Sequence, residues 1–338
     1  MKIMDILFEL SKEHKTLPQS EIKACLQSEN IKFKIVDSNV DAFVIKSNIS
    51  LNKIKKLANR LSMTFFIDEI LFICSTKKNE IQKIAKNHPL EKKGSIGITY
   101  KNRSENITSK KIINQLADIY SKNRKVDLTN PDNELRVLIT NKKIYVGLKK
   151  AKIDRTQFEK RKVQYRPFFS PVSLHPKVAR TLVNLSEIKK NDTLLDPFCG
   201  TGGILIEAGL IGAKLIGGDI EKKMIEGCKK TLDFYKLKNY RLFCCDIGDI
   251  KKYVNSVDAV VTDLPYGKST TTKGEEIKEL YKRAFENISN LLKEKRKAVI
   301  GLSNKERILI GEKYLSLIEK HEFRVHKSLT RYFVVYQK

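Results

Sequence analysis

The sequence lacks any apolar run that could cross a membrane. A membrane-spanning helix needs about 18 or more consecutive apolar residues, and no stretch of the 338-residue chain contains such a run. Residues 1–9 include two acids, where a secretion signal would need an apolar core. The sequence therefore predicts neither a membrane segment nor a secretion signal.

Cysteine pairs with the C-x-x-C spacing are missing as well. The six cysteines form no C-x-x-C pair, and the five histidines show no spacing typical of metal ligands. Cys244 and Cys245 are adjacent in what the pattern predicts to be a buried strand. We therefore expect reduced thiols in the core of a cytoplasmic protein, and no metal site.

Acidic residues are scarce relative to basic ones. The chain has 66 Lys and Arg against 39 Asp and Glu, a formal net charge of +27. Residues 51–180 carry 30 basic and 11 acidic side chains, whereas residues 1–50 are neutral overall. This concentrated excess favours a polyanionic partner, that is RNA, DNA or an anionic membrane. The alternative is a lysine-rich, solvated surface without such a partner.

The first half of the chain has a mixed pattern typical of an α+β region. It predicts strands over 42–45, 64–73, 95–100, 135–140 and 144–148, and helices over 51–61, 77–87 and 108–121. Residues 150–173 interleave basic and aromatic side chains and are interpreted as a connector between domains that also touches the anionic partner. A compatible alternative is a charged linker whose aromatic residues attach it to one domain.

From residue 174 onward, strands and helices alternate regularly. The predicted strands are 193–196, 215–219, 241–246, 258–263 and 298–302, the helices are 176–185, 204–211, 222–235 and 276–292, and a hairpin of 323–329 and 332–336 follows. This alternation builds a doubly wound parallel sheet, whose ligands lie beyond the carboxyl ends of its strands. The first four strands each end in an aspartate: Asp196, Asp219, Asp246 and Asp263.

The turn after the first of these strands is rich in glycine and reads Asp196-Pro197-Phe198-Cys199-Gly200-Thr201-Gly202-Gly203. Leu205 replaces the last glycine of a dinucleotide fingerprint, and Thr262 replaces the first glycine of a P-loop ending in Gly267-Lys268-Ser269. An acid before the turn would repel a pyrophosphate but suits an ammonium. Asp219 can accept the hydroxyls of a ribose and Asp246 an adenine amino group. Each aspartate alone could be a turn residue, but together they predict S-adenosylmethionine.

The loop after the fourth strand, Asp263-Leu264-Pro265-Tyr266-Gly267, resembles the [N/D/S]-P-P-[Y/F/W] motif of methyltransferases acting on planar exocyclic amines. The lone pair of such a nitrogen is delocalised into the ring. A carboxylate and a backbone carbonyl that accept hydrogen bonds from its two N–H groups would draw the nitrogen toward tetrahedral geometry. Asp263 and the carbonyl of Leu264 suit this task, Asp263 can take the released proton, Pro265 stiffens the loop, and Tyr266 can stack on a base.

Longer strings resemble the archaeal tRNA guanosine-10 N2-methyltransferases. They are Arg155-Thr156-Gln157-Phe158, Arg166-Pro167-Phe168-Phe169, Ser173-Leu174-His175-Pro176, the glycine turn and the Asp263 loop. The resemblance covers nearly the whole chain and is strongest over 155–267. It implies a ferredoxin-like region (1–50), a THUMP-type RNA-binding domain (51–150), a basic linker (151–173) and a Rossmann-like methyltransferase domain (174–338). It also implies tRNA as the partner, and transfer of one or two methyl groups to the N2 of guanosine 10, flipped into the Tyr266 pocket. We expect a monomer, although the sequence does not reveal the oligomeric state.

The resemblance also assigns individual residues. The catalytic set is Asp263, Leu264, Pro265 and Tyr266. The cofactor-binding set is His175, Asp196, Pro197, Phe198, Gly200, Thr201, Gly202, Gly203, Asp219, Ile220, Asp246, Ile247 and Asp263. Leu264 replaces the more usual proline, which predicts a looser turn and leaves single or double methylation open. The alternatives are another guanosine in tRNA or ribosomal RNA, a DNA adenine N6-methyltransferase, and a non-catalytic RNA-binding protein.

Overall fold

The computed structural model describes residues 3–76, 80–170, 173–266, 276–326 and 329–338. The chain divides into two compact units, each built over the described residues on one seven-stranded sheet. The first unit comprises Met1–Lys15, Ile31–Asn59 and Thr64–Asp154, and the second comprises Thr16–Asn30, Arg60–Met63 and Arg155–Lys338. The domain boundaries proposed from the sequence stay a prediction.

The elements follow one another along the chain with short connections. The first half contains β1 (Met4–Leu10), α1 (Leu17–Ser28), β2 (Lys34–Ser38), β3 (Ala42–Ser47), α2 (Leu51–Arg60), β4 (Thr64–Ser75), α3 (Glu80–Lys86), β5 (Ile96–Asn102), α4 (Ser109–Tyr120), β6 (Asn133–Ile139) and β7 (Lys143–Lys152). The second half contains α5 (Thr156–Glu159), α6 (Pro176–Leu185), β8 (Thr193–Asp196), α7 (Gly203–Leu210), β9 (Lys214–Asp219), α8 (Lys222–Phe234), β10 (Tyr240–Cys244), β11 (Val257–Asp263), α9 (Ile277–Leu291), β12 (Leu292–Leu302), α10 (Ile308–Gly311), β13 (Ser316–His326) and β14 (Leu329–Gln337). Within the described parts of the chain, every helix is too short or too polar to cross a membrane.

The sheet of the first unit has the strand order β2-β3-β1-β4-β7-β6-β5. Its strands are antiparallel except for β5 and β6, which run parallel. Apolar residues of α3 and α4 cover it, among them Ile81, Ala85, Leu116 and Tyr120. All strands and helices predicted for this half overlap observed ones, which confirms the α+β pattern; residues 77–79 of one predicted helix lie outside the described residues.

The sheet of the second unit has the order β10-β9-β8-β11-β12-β14-β13. Its first five strands are parallel, and β14 and β13 continue it as an antiparallel pair. One apolar cluster joins this sheet to α6, α7 and α8, and another joins it to α9. Helices therefore cover both faces, and the predicted doubly wound architecture is confirmed.

Several strand predictions were wrong in their bounds, and β12 begins at Leu292 in place of 298. β10 ends at Cys244, two residues before Asp246, and β13 covers Ser316–His326 in place of 323–329. The expected core position of the adjacent cysteines was wrong as well, because Cys244 is exposed and Cys245 half-buried. The physical reason is that β10 is the edge strand of its sheet, so that one side of it has no neighbouring strand.

The basic connector is attached to the second unit by buried side chains. Phe158, Arg161 and Arg166 are all buried. Arg161 donates two hydrogen bonds to the fully buried Glu207, at 2.7 and 3.0 Å, and Arg180 forms a 2.9 Å ion pair with the same carboxylate. These arginines are committed to internal partners, which favours the attachment interpretation for this part of the connector.

A buried carboxylate explains why α1 belongs to the second unit. Glu21 of α1 is fully buried and accepts hydrogen bonds from Ser62 N–H and Oγ–H, Met63 N–H and Asn184 Nδ2 over 2.6–3.2 Å. Burial raises the pKa of this carboxyl, and the hydrogen bonds oppose that shift. One side chain therefore joins α1, the segment around residue 62 and α6.

Replacing Glu21 by alanine removes the acceptor for all these donors. Since a buried donor without a partner is costly, we expect Glu21→Ala to lower the free energy of unfolding by about 2–4 kcal/mol. Urea unfolding followed by circular dichroism measures this. The exposed Glu226, which lies 3.9 Å from Lys222, is the control, and Glu226→Ala should change stability by less than about 0.5 kcal/mol. Equal stability of both variants would contradict the structural role of Glu21.

Candidate active site

A cavity opens at the edge of the second sheet where the carboxyl ends of β8, β9 and β11 meet. The predicted site residues that line it are Asp196, Pro197, Phe198, Gly200, Thr201, Gly203, Asp219, Ile220, Asp246, Ile247, Asp263, Leu264, Pro265 and Tyr266. His175 and Gly202 are not in its lining. Gly267, Lys268 and Ser269 lie outside the described residues.

Asp196 ends β8 and is almost completely buried, with 1% exposed surface. Its Oδ1 accepts hydrogen bonds from Thr262 Oγ1 at 2.7 Å and from the Phe198 N–H at 3.2 Å. Burial nevertheless raises the pKa of this carboxyl to about 7. A cationic group placed beside Asp196 would favour the ionised form, which is what the ammonium of an amino-acid ligand provides.

Asp219, at the end of β9, holds the glycine turn and keeps acceptor capacity for a ligand. Its Oδ2 accepts from the Gly200 N–H and its Oδ1 from the Glu221 N–H, each at 2.9 Å. Burial raises the pKa of this carboxyl. Because every carboxylate oxygen has two lone pairs, acceptor capacity remains for a ribose hydroxyl.

The turn between β8 and α7 requires glycine at two positions. Gly200 and Gly202 have φ angles of +48° and +80°, in the left-handed region. A Cβ on Gly202 would also lie 2.8 Å from Cys228 Sγ. Gly202 therefore serves the path of the backbone, which is consistent with its absence from the cavity lining, while Gly200 and Gly203 face the ligand space.

Asp246 is held by an arginine that sequence reasoning missed. Its Oδ1 accepts from the Gly248 N–H at 2.8 Å, and Arg283 of α9 pairs with Oδ1 and Oδ2 at 2.5 and 3.3 Å. The Arg283 hydrogen bond lowers the pKa of this carboxyl, so Asp246 is ionised at neutral pH. The arginine orients the carboxylate and leaves a lone pair on Oδ2 that can accept an adenine amino group.

Asp263 ends β11 and is surrounded by other side chains of the site. Tyr266 donates its hydroxyl to Asp263 Oδ1, and Arg331 of β14 places Nη2 at 3.7 Å from Oδ2. Burial raises the pKa of Asp263, against the opposing charge of Arg331. A Cβ on Gly301 of β12 would lie 2.2 Å from Asp263 Oδ1, so only glycine at that position leaves room for the carboxylate.

The rest of the loop is fixed by two further contacts. The Leu264 N–H donates to the Gly301 carbonyl at 3.0 Å, a bond that proline could not make. The Pro265 carbonyl accepts from Tyr281 Oη at 3.0 Å, and Arg307 donates to the same hydroxyl at 3.1 Å. Leu264 therefore ties the loop to β12, and the looser turn expected from leucine stays a prediction.

His175 has a structural position that the sequence did not reveal. It is the N-terminal cap of α6, and its Nδ1 accepts from the Lys177 N–H at 3.2 Å. Its Nε2 lies 3.5 Å from the carboxylate of Glu159. The neighbouring residues Ser173 and Leu174 line the cavity in its place, together with Ser170, Cys199, Ile204, Glu221, Met224, Cys245 and Leu280.

The chemistry of the cavity fits S-adenosylmethionine. Asp196 is a buried acid suited to an ammonium, Asp219 offers an acceptor for a ribose hydroxyl, and Asp246 offers one for an adenine amino group. Apolar residues such as Phe198, Ile220 and Met224 complete the lining.

Comparison with known proteins agrees with this site. The family profile described as "RMKL-like, methyltransferase domain" matches residues 163–332. The tRNA (guanine(10)-N2)-dimethyltransferase of Methanothermobacter thermautotrophicus is 33% identical over 341 residues, covering 99% of this chain and 100% of that protein. The chain belongs to the tRNA (guanine(10)-N2)-dimethyltransferase family. The protein of the same name from Pyrococcus abyssi is 38% identical over 220 residues, covering 64% of this chain and 65% of that protein.

Two other matches are broader. A profile described as "DNA methylase" matches residues 13–230, a span that ends before Asp263 and its loop. The crystal structure of TrmN from Thermus thermophilus is 16% identical with a TM-score of 0.58, covering 99% of both chains. This structural similarity supports the fold. The family membership predicted from the sequence is confirmed, as is S-adenosylmethionine as the methyl donor of the family.

The contact between Gly301 and Asp263 leads to a mutational prediction. In Gly301→Ala the added methyl group must displace the Asp263 carboxylate, and a shift of about 1 Å at a reacting group can lower rates about 100-fold. We expect a loss of that size in methyl transfer, with S-adenosylmethionine affinity changed less than about threefold, measured by single-turnover kinetics and calorimetry. Full activity of the variant would show that the carboxylate position is not critical.

The raised pKa of Asp196 leads to a prediction about pH. Below pH 7 the carboxyl holds a proton that must leave when a cationic ligand binds. The dissociation constant for S-adenosylmethionine should therefore rise as the pH falls, by about tenfold per unit well below pH 7, and level off above pH 8. 5′-Methylthioadenosine lacks the ammonium and serves as the control ligand, with little change expected. The same pH dependence for both ligands in calorimetry would exclude this role of Asp196.

Proposed function

We propose that this protein transfers one and then a second methyl group from S-adenosylmethionine to the N2 of guanosine 10 in tRNA. The observation that carries the proposal is the Asp263–Tyr266 loop, which lies beside Asp196 and Asp219 on the same cavity. The relatives named tRNA (guanine(10)-N2)-dimethyltransferase support both the substrate and the double methylation.

The residues of the loop account for the chemistry at the amino group. S-adenosylmethionine, when bound, supplies an electrophilic methyl group. Asp263 accepts one N–H of the 2-amino group and the carbonyl of Leu264 accepts the other, which localises the lone pair on nitrogen. Since burial raises the pKa of Asp263, its carboxylate is a stronger base than an exposed one and can take the released proton. After the first methylation one N–H remains, and Asp263 can serve a second transfer once it has released the first proton to solvent.

The base must leave its stem to reach this loop. Guanosine 10 lies in a paired region, so we propose that it is flipped out and packs against the ring of Tyr266. This aromatic ring has Arg331 on one side, with its guanidinium carbon 5.3 Å from the ring centroid. Stacking on an aromatic side chain is worth about 1–3 kcal/mol per base, which offsets part of the cost of unstacking.

Residues 1–150 are proposed to bind the tRNA, as a ferredoxin-like region (1–50) followed by a THUMP domain (51–150). Lys55 and Lys56 of α2 and Lys110 and Lys111 of α4 are exposed. Phosphate contacts by such lysines make RNA affinity fall steeply with salt. We further propose that the protein acts as a monomer in the cytoplasm.

The reaction and its site are tested together with two tRNA transcripts, one with guanosine and one with adenosine at position 10. We expect N2-methylguanosine and then N2,N2-dimethylguanosine in the first transcript and no methylation of the second, measured by nucleoside mass spectrometry. Methylation of both transcripts would retain the chemistry but move the target. A DNA duplex tests the alternative suggested by the DNA methylase profile, for which N6-methyladenine is the expected product.

The catalytic role of Asp263 has a matched control. Asp263→Asn keeps the size of the side chain but removes its charge, and we expect kcat to fall by at least about 100-fold. Asp249 is more exposed and pairs with Lys252 at 2.7 Å, so Asp249→Asn should keep wild-type activity. If the protein were a non-catalytic RNA-binding protein, the wild type and both variants would show no methyl transfer, and all three would bind tRNA equally well.

A further inference from the structure

Arg331 lies on β14, beside the loop that contains Asp263 and Tyr266. It was not among the site residues predicted from the sequence. Its side chain is 11% exposed and lies next to both Asp263 and Tyr266. The 3.7 Å between Nη2 and Asp263 Oδ2 is too long for a hydrogen bond. The two groups attract each other, but this separation does not consume the donors of the arginine.

Part of the guanidinium is buried without a partner. Arg331 Nε has no hydrogen-bond partner among the residues that the structure describes. A buried donor without an acceptor costs free energy, and an arginine carries five N–H donors in a rigid plane. Nε itself is buried, but Nη2 of the same guanidinium faces the catalytic carboxylate at 3.7 Å, a place from which the terminal N–H groups can donate to a bound base.

Building on the proposed function, we infer that Arg331 selects guanine by donating a hydrogen bond to its O6. The Watson–Crick edge of guanine presents the 2-amino group, N1–H and O6 in that order, two donors and then an acceptor. The side chains of Asp263 and Arg331 present acceptors and then donors, the complementary order. Adenine would place the lone pair of N1 against the carboxylate and an amino group against the arginine, so both contacts would be repulsive.

A simpler role for Arg331 would be to keep Asp263 ionised. Burial raises the pKa of Asp263; the facing groups on other elements are Arg331 of β14, which lowers that pKa, and Asp196 of β8 and Tyr281 of α9, with Tyr266 on the loop itself. This role would not depend on which atom occupies position 6 of the base. The two roles therefore differ in their dependence on the substrate.

The experiment combines Arg331→Met with a change of one substrate atom. Single-turnover rates are measured on transcripts with guanosine or 6-thioguanosine at position 10, since sulfur is a much weaker acceptor than oxygen. We expect the wild-type rate to be about tenfold lower on the 6-thioguanosine transcript than on the guanosine transcript. Relative to the wild type on the same transcript, the rate of Arg331→Met should be about 10- to 100-fold lower on guanosine but less than about twofold lower on 6-thioguanosine. Equal losses of the variant on both transcripts, or equal wild-type rates on both, would overturn the inference.

Two controls keep this result separate from other failures. Arg324 of β13 is exposed, and Arg324→Met should affect both transcripts equally. S-adenosylmethionine binding and thermal unfolding report whether Arg331→Met is folded. If it is unfolded, the wild-type rates on the two transcripts still decide, because equal rates would overturn the inference. Failure of the wild type on the guanosine transcript refutes the proposed function itself, whereas an active wild type without the substrate dependence refutes only the role of Arg331.

Discussion

The active site depends on keeping several carboxyl groups at one edge of a parallel sheet, away from water. Asp196, Asp219 and Asp263 all have raised pKa values because burial disfavours their charged forms. Such a cluster is unfavourable by itself, since the carboxylates are desolvated and repel one another. The arrangement becomes favourable when a positively charged ligand enters, and the methyl donor carries both a sulfonium and an ammonium. The specificity for that ligand is thus an electrostatic property of the residues that line the cavity.

The partners of each carboxylate separate their tasks. Asp219 is bonded by two backbone N–H groups, which fix the glycine turn. Asp246 is ionised and pairs with the positively charged Arg283, so it serves as an oriented acceptor and not as a base. Asp263 is bonded, among the described residues, by the Tyr266 hydroxyl, with Arg331 farther away, so direct bonds from these residues suppress its basicity the least. Similar side chains at equivalent strand ends therefore differ in chemistry through what surrounds them.

The residues that could be predicted are those whose role is local in sequence. Asp196 and Asp263 follow apolar strands, and their loops carry recognisable turn chemistry, so strand order alone brings them together. Glu21, Arg283 and Arg331 act on groups that are distant along the chain, through α1, α9 and an antiparallel strand. Nothing in their local sequence distinguishes them from surface charges, because burial is decided by tertiary packing. The sequence pattern therefore predicts the acceptors of the site but not the cations that tune them.

The positive charge of the chain divides between two tasks according to residue type. Among the described residues, every buried cation is an arginine: Arg60, Arg136, Arg161, Arg166 and Arg180. Arginine suits such positions because its planar, weakly hydrated guanidinium pairs with carboxylates in fixed geometry, whereas the ammonium of lysine strongly retains water. The arginines of the connector and of α2 therefore hold the fold together, although their sequence pattern predicted a basic surface. The charge available to a phosphate backbone is then mostly lysine, which favours salt-dependent and sequence-independent contacts and leaves selection of the base to the active site.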